Sequence, residues 1–227
     1  MSADANIYVI IDGSGSMSRV KNDVVKGIND FIVEQQNDAN PGDDIRFWLT
    51  TFDSNIMEVY QGEDIGLVNP VSVKETFLGG GTALLDAIGK TLTTAEADAA
   101  LTNTVVIYTD GHENASREFS NEEIAKLIEK LTNTGAWQFV YLGAEFEDFA
   151  KDRAQGTLRA SSVGGTYSAV NTPKTDIAGT FSRMSQTVSL RNKATVEELD
   201  EMKKTGLLSY AQSQGIDWNA PEEPKEK

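Results

Sequence analysis

Residues 6–16 read Asn-Ile-Tyr-Val-Ile-Ile-Asp-Gly-Ser-Gly-Ser, a nearly continuous apolar run followed by a short polar loop. An apolar run of this kind predicts a strand that is buried on both faces, as in a parallel sheet covered by helices. After the loop, a helical spacing of apolar residues follows, at Val20, Val24, Ile28, Phe31 and Ile32. Residues 6–32 therefore show the strand–loop–helix order from which parallel α/β sheets are built.

Strands and helices alternate through most of the chain. Further strands are predicted at 45–52, 56–60, 105–109, 138–143 and 159–163. Helical patterns begin near Leu84, Ile124 and Ile177, a short helix is predicted at 145–154, and capping boxes occur at Ser120/Glu123 and Thr195/Glu198. The turn at 53–55 predicts a hairpin, and hence one antiparallel edge strand. We therefore expect an α/β fold with a doubly wound, mostly parallel sheet and helices on both faces.

The chain has 227 residues, enough for one large domain with an appendage. We expect residues 1–190 to form the α/β domain. Residues 191–215 are predicted to form a helical C-terminal extension that packs on the domain or on a partner. Residues 216–227 are rich in Pro and Glu toward the end, and we expect a disordered tail there.

Composition narrows the class of function. The chain is 39% hydrophobic and 24% charged, as in globular proteins, and it contains no cysteine for disulfides or thiolate chemistry. Its formal net charge of −15 repels phosphate backbones, so nucleic-acid binding is not expected. The polar start lacks a signal-peptide pattern, and no segment approaches the roughly 18 apolar residues of a membrane span. We expect a cytoplasmic location in the host cell, without membrane association.

Three short loops carry a family resemblance. The first is Asp12-Gly13-Ser14-Gly15-Ser16, which matches the D-x-S-x-S motif of von Willebrand factor A domains. Gly81-Thr82, before a predicted helix, resembles the second element of that family's site, and Thr109-Asp110-Gly111, after a predicted strand, resembles the third. The resemblance covers roughly residues 6–190. It implies a Rossmann-like fold with a metal-ion-dependent adhesion site, as in integrin I domains.

The side chains of these loops suit a hard divalent cation. Mg²⁺ prefers oxygen ligands in a near-octahedral shell. Ser14 and Ser16 lie close together in a tight loop, so both hydroxyls can point at one ion, and Thr82 can supply a third. Carboxylates can balance the charge of the ion, by direct contact or through bound water. We therefore predict a site for Mg²⁺, or alternatively Mn²⁺ or Ca²⁺, formed by Asp12, Ser14, Ser16, Thr82 and Asp110.

The resemblance also implies a function. In the resembled site the two serines and the threonine bind the metal directly, the aspartates act largely through water, and one coordination position stays open. A carboxylate of the ligand protein completes the shell. The resemblance thus implies a divalent-metal-dependent protein-binding module, not an enzyme, that engages an Asp or Glu of a protein partner.

Two other functions stay open at this level. A magnesium ion flanked by aspartates could serve a phosphohydrolase. Against this, no general base or nucleophile is evident, and position 14 is Ser where the D-x-D motif of haloacid dehalogenase-type phosphatases requires Asp. The chain could also be a structural subunit with a degenerate site, although all five site residues are present. Each loop alone also has an ordinary explanation as a turn or a helix cap, and it is their co-occurrence that favours a metal site.

Two segments resemble nucleotide-binding motifs without matching them. Gly89-Lys90-Thr91 resembles the end of a P-loop, but position 84 is Leu where that motif requires Gly. The Gly/Ser loop lacks the third glycine of a dinucleotide-binding motif, because that position is Ser18. His112, the only histidine, is expected at the rim of the site. Glu113 and Asn114 could shape that rim or cap the following segment, and we assign them no ligand role.

Overall fold

The computed structural model describes residues 4–77, 79–110, 113–143, 167–171 and 175–218. The strands within these ranges are β1 (Ala5–Asp12), β2 (Ile45–Phe52), β3 (Ile56–Asp64), β4 (Thr102–Thr109), β5 (Trp137–Gly143) and β6 (Tyr167–Asn171). They form one six-stranded sheet in the order β3-β2-β1-β4-β5-β6. Only the β2–β3 pair is antiparallel among these strands, and β3 lies at the edge of the sheet.

The central strands are covered on both faces. Every residue of β1, β4 and β5 is buried, whereas the edge strand β3 is partly exposed along its length. Continuous apolar runs therefore gave strands buried on both faces, as expected for a parallel sheet between helical layers. The predicted fold class, a doubly wound and mostly parallel α/β sheet with one antiparallel edge strand, is confirmed.

The helices form two layers. They are α1 (Lys21–Asp38), α2 (Val73–Thr76), α3 (Leu84–Ala97), α4 (Asn121–Asn133), α5 (Ile177–Asn192), α6 (Val196–Thr205) and α7 (Leu207–Ser213). Helices α1, α5, α6 and α7 share one apolar cluster with the sheet, and α3 and α4 share another. Both predicted capping boxes are confirmed at the starts of α4 and α6. None of the described helices is long and apolar enough to cross a membrane.

Helices α1 and α5 pack closely because of a glycine. A Cβ atom at Gly27 of α1 would lie 2.4 Å from Cδ2 of Phe181 in α5, which is too close for any side chain. The ring of Phe181 in turn packs on Tyr108 of β4, with 5.4 Å between ring centroids. Glycine at position 27 therefore lets α1 and α5 lie side by side over the sheet.

Aromatic residues fill the opposite face. Tyr8 of β1 stacks on Trp48 of β2 at 4.6 Å between ring centroids, and on Trp137 of β5 at 5.5 Å. All three side chains are buried beneath the layer that contains α3 and α4. The stack therefore ties together strands on both sides of the centre of the sheet.

The direction of strand addition reverses at the centre. From β1 the chain adds β2 and β3 on one side and then returns to add β4, β5 and β6 on the other. The loops after β1 and β4 therefore leave the sheet at the same side, the carboxyl ends of the strands, and run in opposite directions. A crevice at such a switch point is the usual ligand site of this architecture.

The last described strand was not predicted from the sequence. Strand β6 is formed by Tyr167–Asn171, a short and mostly polar segment that the sequence analysis did not identify. The strand predicted at 159–163 and the helix predicted at 145–154 lie outside the described residues.

The C-terminal region is ordered further than predicted. Two helices, α6 and α7, occupy most of the predicted extension. Ile216 and Trp218, which were assigned to a disordered tail, are buried in the same apolar cluster as α5, α6 and α7. The start of the tail at 216 is therefore corrected, because these two apolar side chains are removed from water by docking. Residues 219–227 lie outside the described residues, and the division at residue 190 stays a prediction.

Docking of this segment can be tested at Trp218, which is 8% exposed and lies under the guanidinium of Arg183, 5.8 Å from the ring centroid. We expect Trp218→Ala to lower the free energy of unfolding by about 3 kcal/mol, because a large buried ring is removed. Urea denaturation measures this loss.

Trp218→Phe is the matched control. It keeps a ring beneath Arg183 and removes the indole Nε1, which is buried without a hydrogen-bond partner among the described residues. We expect a loss well under half that of the alanine variant. Equal stability of Trp218→Ala and the unaltered protein would show that the segment is not docked in solution.

Candidate functional site

The carboxylate of Asp12 joins the ends of two neighbouring strands. Asp12 is the last residue of β1 and is fully buried. Its Oδ1 accepts a hydrogen bond from the backbone N–H of Ser14 at 2.8 Å. Its Oδ2 accepts one from the hydroxyl of Thr109, the last residue of β4, at 2.5 Å. The side chain therefore lies at the switch point of the sheet and organises both loops that leave it.

Electrostatics at this carboxylate favour a cation. Burial raises the pKa of Asp12, and its hydrogen bonds with Ser14 and Thr109 offset this effect only in part. The negative charge of Asp110 raises the pKa of Asp12 further. A positive charge close to Asp12 would stabilise its ionised form.

A chain of hydroxyl contacts links Asp12 to Asp110. The hydroxyl oxygens of Ser14 and Ser16 lie 3.0 Å apart, and Ser16 donates a hydrogen bond to Oδ1 of Asp110 at 2.6 Å. Ser14 is buried, whereas Ser16 is exposed. The structure thus brings four of the predicted site residues into one connected cluster that is open to solvent on the Ser16 side.

The fifth residue, Thr82, is held in the adjoining loop. The backbone N–H of Gly79 donates to the carbonyl of Gly13 at 3.1 Å, and that of Gly15 donates to the carbonyl of Gly80 at 3.0 Å. The loop of Thr82 and the loop of the two serines therefore run against each other backbone to backbone. Thr82 itself is buried, and the structure places its loop beside the cluster.

Glu113 and Asn114 have a larger structural role than the sequence indicated. Oδ1 of Asn114 accepts a hydrogen bond from the backbone N–H of Thr82 at 2.9 Å, and Oε2 of Glu113 accepts one from that of Leu85 at 3.0 Å. The N-terminus of α3 has no side-chain cap of its own at Ala83. The loop after β4 therefore caps α3 from a distant part of the sequence. Gly111 and His112, in the same loop, lie outside the described residues.

Asp86 completes the attachment of this loop. Its carboxylate, in the first turn of α3, accepts backbone hydrogen bonds from Arg117 at 2.8 Å and from Glu118 and Phe119 at 2.9 Å each. The sequence analysis placed Asp86 in a helix and gave it no role, because its hydrogen-bond donors come from a separate loop. Helix α3 and the loop after β4 therefore hold each other in place.

Gly89 and Lys90, from the segment that resembles a P-loop, make packing and ion-pair contacts. A Cβ atom at Gly89 would lie 2.5 Å from the ring of Phe119, so glycine is needed for close packing. Lys90 forms an ion pair with Glu118 at 2.8 Å. Both residues thus serve the contact between α3 and the loop after β4.

The oxygen-rich character of the cluster defines its chemistry. Within the part of the chain that the structure describes, no group of three or more His, Cys, Asp or Glu side chains is arranged to hold a metal. A cation here would therefore depend on serine and threonine hydroxyls as well as two carboxylates. Such an all-oxygen set suits a hard cation and excludes thiolate or imidazole ligation by these five residues.

The family follows from a match over more than half of the chain. The sequence profile of the von Willebrand factor type A domain matches residues 6–151, which run from β1 past the end of β5. The chain belongs to the von Willebrand factor type A domain family. No curated protein matches the sequence.

Solved structures share the fold at low sequence identity. The PilB minor pilin from Streptococcus sanguinis is similar with a TM-score of 0.62 and 13% identity, over 84% of this chain and 62% of that chain. The vWF domain of the type V pili tip protein Mfa5 from Porphyromonas gingivalis has a TM-score of 0.63 and 9% identity, over 86% and 98%. The pilus adhesin SpaC from Lactobacillus rhamnosus GG has a TM-score of 0.57 and 14% identity, over 84% and 30%. This chain spans less than two thirds of PilB, and the likeness concerns the fold alone.

The attachment through Asp86 makes the stability of the protein depend on pH. Burial alone would raise the pKa of Asp86, but hydrogen bonds from the backbone of Arg117, Phe119 and Glu118 outweigh it and lower the pKa. A group whose pKa is lower in the folded state stabilises the protein above its unfolded-state pKa, and this stabilisation is lost on acidification. We expect Asp86→Asn to cost about 1–3 kcal/mol at neutral pH, because the side chain loses its charge and one of its two acceptor oxygens, which leaves a backbone donor without a partner.

The variant should also lose less stability than the unaltered protein when the pH falls below about 4, the usual range of aspartate. Urea denaturation at a series of pH values measures both effects. Glu122→Gln is a suitable control, because Glu122 forms an exposed ion pair with Lys126 and such pairs contribute little. Parallel pH profiles for Asp86→Asn and the unaltered protein would contradict this role.

Proposed function

We propose that this chain is a divalent-metal-dependent protein-binding module with a metal-ion-dependent adhesion site. In this proposal Ser14, Ser16 and Thr82 hold a magnesium ion through their hydroxyls, and Asp12 and Asp110 balance its charge. The observation that carries the proposal is the connected cluster of Asp12, Ser14, Ser16 and Asp110 at the switch point of a von Willebrand factor type A fold.

The chemistry of the donors supports a binding role. Neutral hydroxyls transfer little charge to a cation, so a magnesium ion held by them would remain a strong acceptor for a further anionic oxygen. The exposed side of the cluster, at Ser16, is where a carboxylate from outside would approach. We therefore propose that an Asp or Glu of a partner protein is the group recognised.

The structural relatives agree with a role in attachment. Similar folds occur in a minor pilin, a pilus tip protein and a pilus adhesin. Protein interaction is accordingly the function proposed for this chain. Its cytoplasmic location, expected from the sequence, stays a prediction.

The cluster offers little for a hydrolase. The hydroxyl of Ser16 donates to the carboxylate of Asp110, and that of Ser14 contacts Ser16. In these contacts neither serine is bonded to a histidine or lysine that would activate it as a nucleophile. A binding site is therefore the better interpretation of the same residues.

Magnesium binding tests the proposal. We expect the unaltered protein to bind Mg²⁺ in isothermal titration calorimetry, and Asp12→Ala and Thr82→Ala each to reduce the affinity at least about tenfold. Bound metal should also raise the free energy of unfolding relative to protein in EDTA. The expected increase is about 2.7 kcal/mol when the magnesium concentration is one hundred times the dissociation constant. A pull-down should retain a partner only when both magnesium and Asp12 are present.

Ser18→Ala is the matched control, because Ser18 lies in the same loop but donates its hydroxyl to the carbonyl of Gly15. Circular dichroism confirms that each variant is folded. If the unaltered protein binds no Mg²⁺, Mn²⁺ or Ca²⁺, or if Asp12→Ala and Thr82→Ala bind as tightly as Ser18→Ala, the metal site is wrong. Magnesium-dependent hydrolysis of a phosphate ester that is lost in Asp12→Ala would instead favour an enzyme.

A further inference from the structure

We infer that Asp53, in the turn between β2 and β3, is a positioning residue that holds Thr82 in place for the metal. The expected effect of Asp53 on metal affinity rests on the proposed function. The underlying structural claim is that the β2–β3 turn forms a fourth segment of the site, beyond the three loops identified from the sequence.

Asp53 contacts the chain on both sides of Thr82. It directly follows β2 at the same sheet edge as Asp12, and it is buried. Oδ2 of Asp53 accepts a hydrogen bond from the backbone N–H of Gly80 at 2.9 Å. The backbone carbonyl of Asp53 accepts one from the N–H of Ala83 at 2.8 Å. One residue therefore fixes the backbone two positions before and one position after the predicted ligand.

Ser54 and Asn114 bind the backbone of the two residues between Gly80 and Ala83. The hydroxyl of Ser54 accepts a hydrogen bond from the N–H of Gly81 at 2.7 Å. The N–H of Thr82 itself donates to Asn114. The N–H groups of residues 80–83 are thus all used, and three of them donate to Asp53 or Ser54. These hydrogen bonds hold the loop that leads into α3, which begins at Leu84.

Asp53 is itself held rigidly. Its Oδ1 accepts hydrogen bonds from the backbone N–H of Asn55 at 2.6 Å and from the side-chain amide of Asn55 at 3.3 Å. A Cβ atom at Gly80 would lie 2.6 Å from Oδ2 of Asp53 and 2.8 Å from the hydroxyl of Ser54. The glycine loop therefore lies directly on the turn, with no room to shift toward it.

The consequence is pre-organisation of Thr82. A hydroxyl on an unrestrained glycine-rich loop would lose conformational entropy on binding a metal, and the affinity would fall accordingly. Groups that orient metal ligands through hydrogen bonds typically change metal affinity by about 10–100-fold when they are removed. We expect a loss in this range when Asp53 is replaced.

The experiment compares three substitutions. Asp53→Ala removes both side-chain acceptors, Asp53→Asn keeps one carbonyl oxygen but removes the charge, and Ser54→Ala removes a neutral acceptor. Asp43→Asn is the matched control, because Asp43 also accepts a backbone hydrogen bond in a turn, from Asn40 at 2.8 Å. Asp43 precedes β2, so it lies at the opposite end of the strand from Asp53. Magnesium affinity is measured by calorimetry, and exchange of the Gly80 and Gly81 amide protons is measured by NMR in metal-free protein.

We expect Asp53→Ala to weaken magnesium binding at least about tenfold, with smaller losses in Asp53→Asn and Ser54→Ala. In metal-free protein, the Gly80 amide should exchange faster in Asp53→Ala, and the Gly81 amide faster in Ser54→Ala. Asp43→Asn should change neither measurement. This pattern differs from a purely electrostatic effect, in which Asp53→Asn would equal Asp53→Ala and Ser54→Ala would be silent.

The outcomes separate the two proposals. If the unaltered protein binds magnesium and Asp53→Ala binds it equally well, the positioning role is overturned and the metal site stands. Unchanged exchange of the Gly80 amide in Asp53→Ala, or the purely electrostatic pattern, also overturns it. If the unaltered protein binds no metal, the proposed function itself fails, whatever the exchange rates show.

Discussion

The site depends on the direct backbone contact between two glycine-containing loops. Hydrogen bonds between Gly13 and Gly79, and between Gly15 and Gly80, join the loops directly, and no side chain would fit at Gly13 or Gly80 without a shift of its neighbours. A Cβ atom at Gly13, for example, would lie 2.4 Å from the carbonyl oxygen of Thr76. Because the loops meet through their backbones, the short side chains of serine and threonine are long enough to share one small volume. Longer ligands would be required if the loops were further apart.

Much of the fold could be predicted because its strongest signals are local. The apolar run of β1, the turn at 53–55 and the capping box at Ser120 each depend on residues that are adjacent in sequence. Buried parallel strands and capped helices follow from such patterns directly. Strand β6 was missed because its sequence, Tyr-Ser-Ala-Val-Asn, is short and lacks a clear apolar pattern. The burial of Ile216 was not predicted, because it depends on packing against helices that a local pattern does not show.

The site could be predicted only in part, for the same reason. The five candidate ligands lie in recognisable motifs, and the structure places four of them in direct contact. The residues that support them do not form motifs. Asp53 was interpreted only as part of a turn and Asp86 only as part of a helix, because their hydrogen-bond partners lie about thirty residues away along the chain. A single sequence contains no local signal for such long-range hydrogen bonds.

The positions of the three tryptophans determine what intrinsic fluorescence can report. Trp48 and Trp137 lie in the aromatic stack within the sheet, and Trp218 lies against α5. All three indoles are shielded from solvent, and none belongs to the loops that contain the candidate ligands. Emission from this protein therefore monitors the integrity of its two apolar layers. A change confined to the loops of the site requires an external label, such as a fluorophore attached to a cysteine, a residue that the natural sequence lacks entirely.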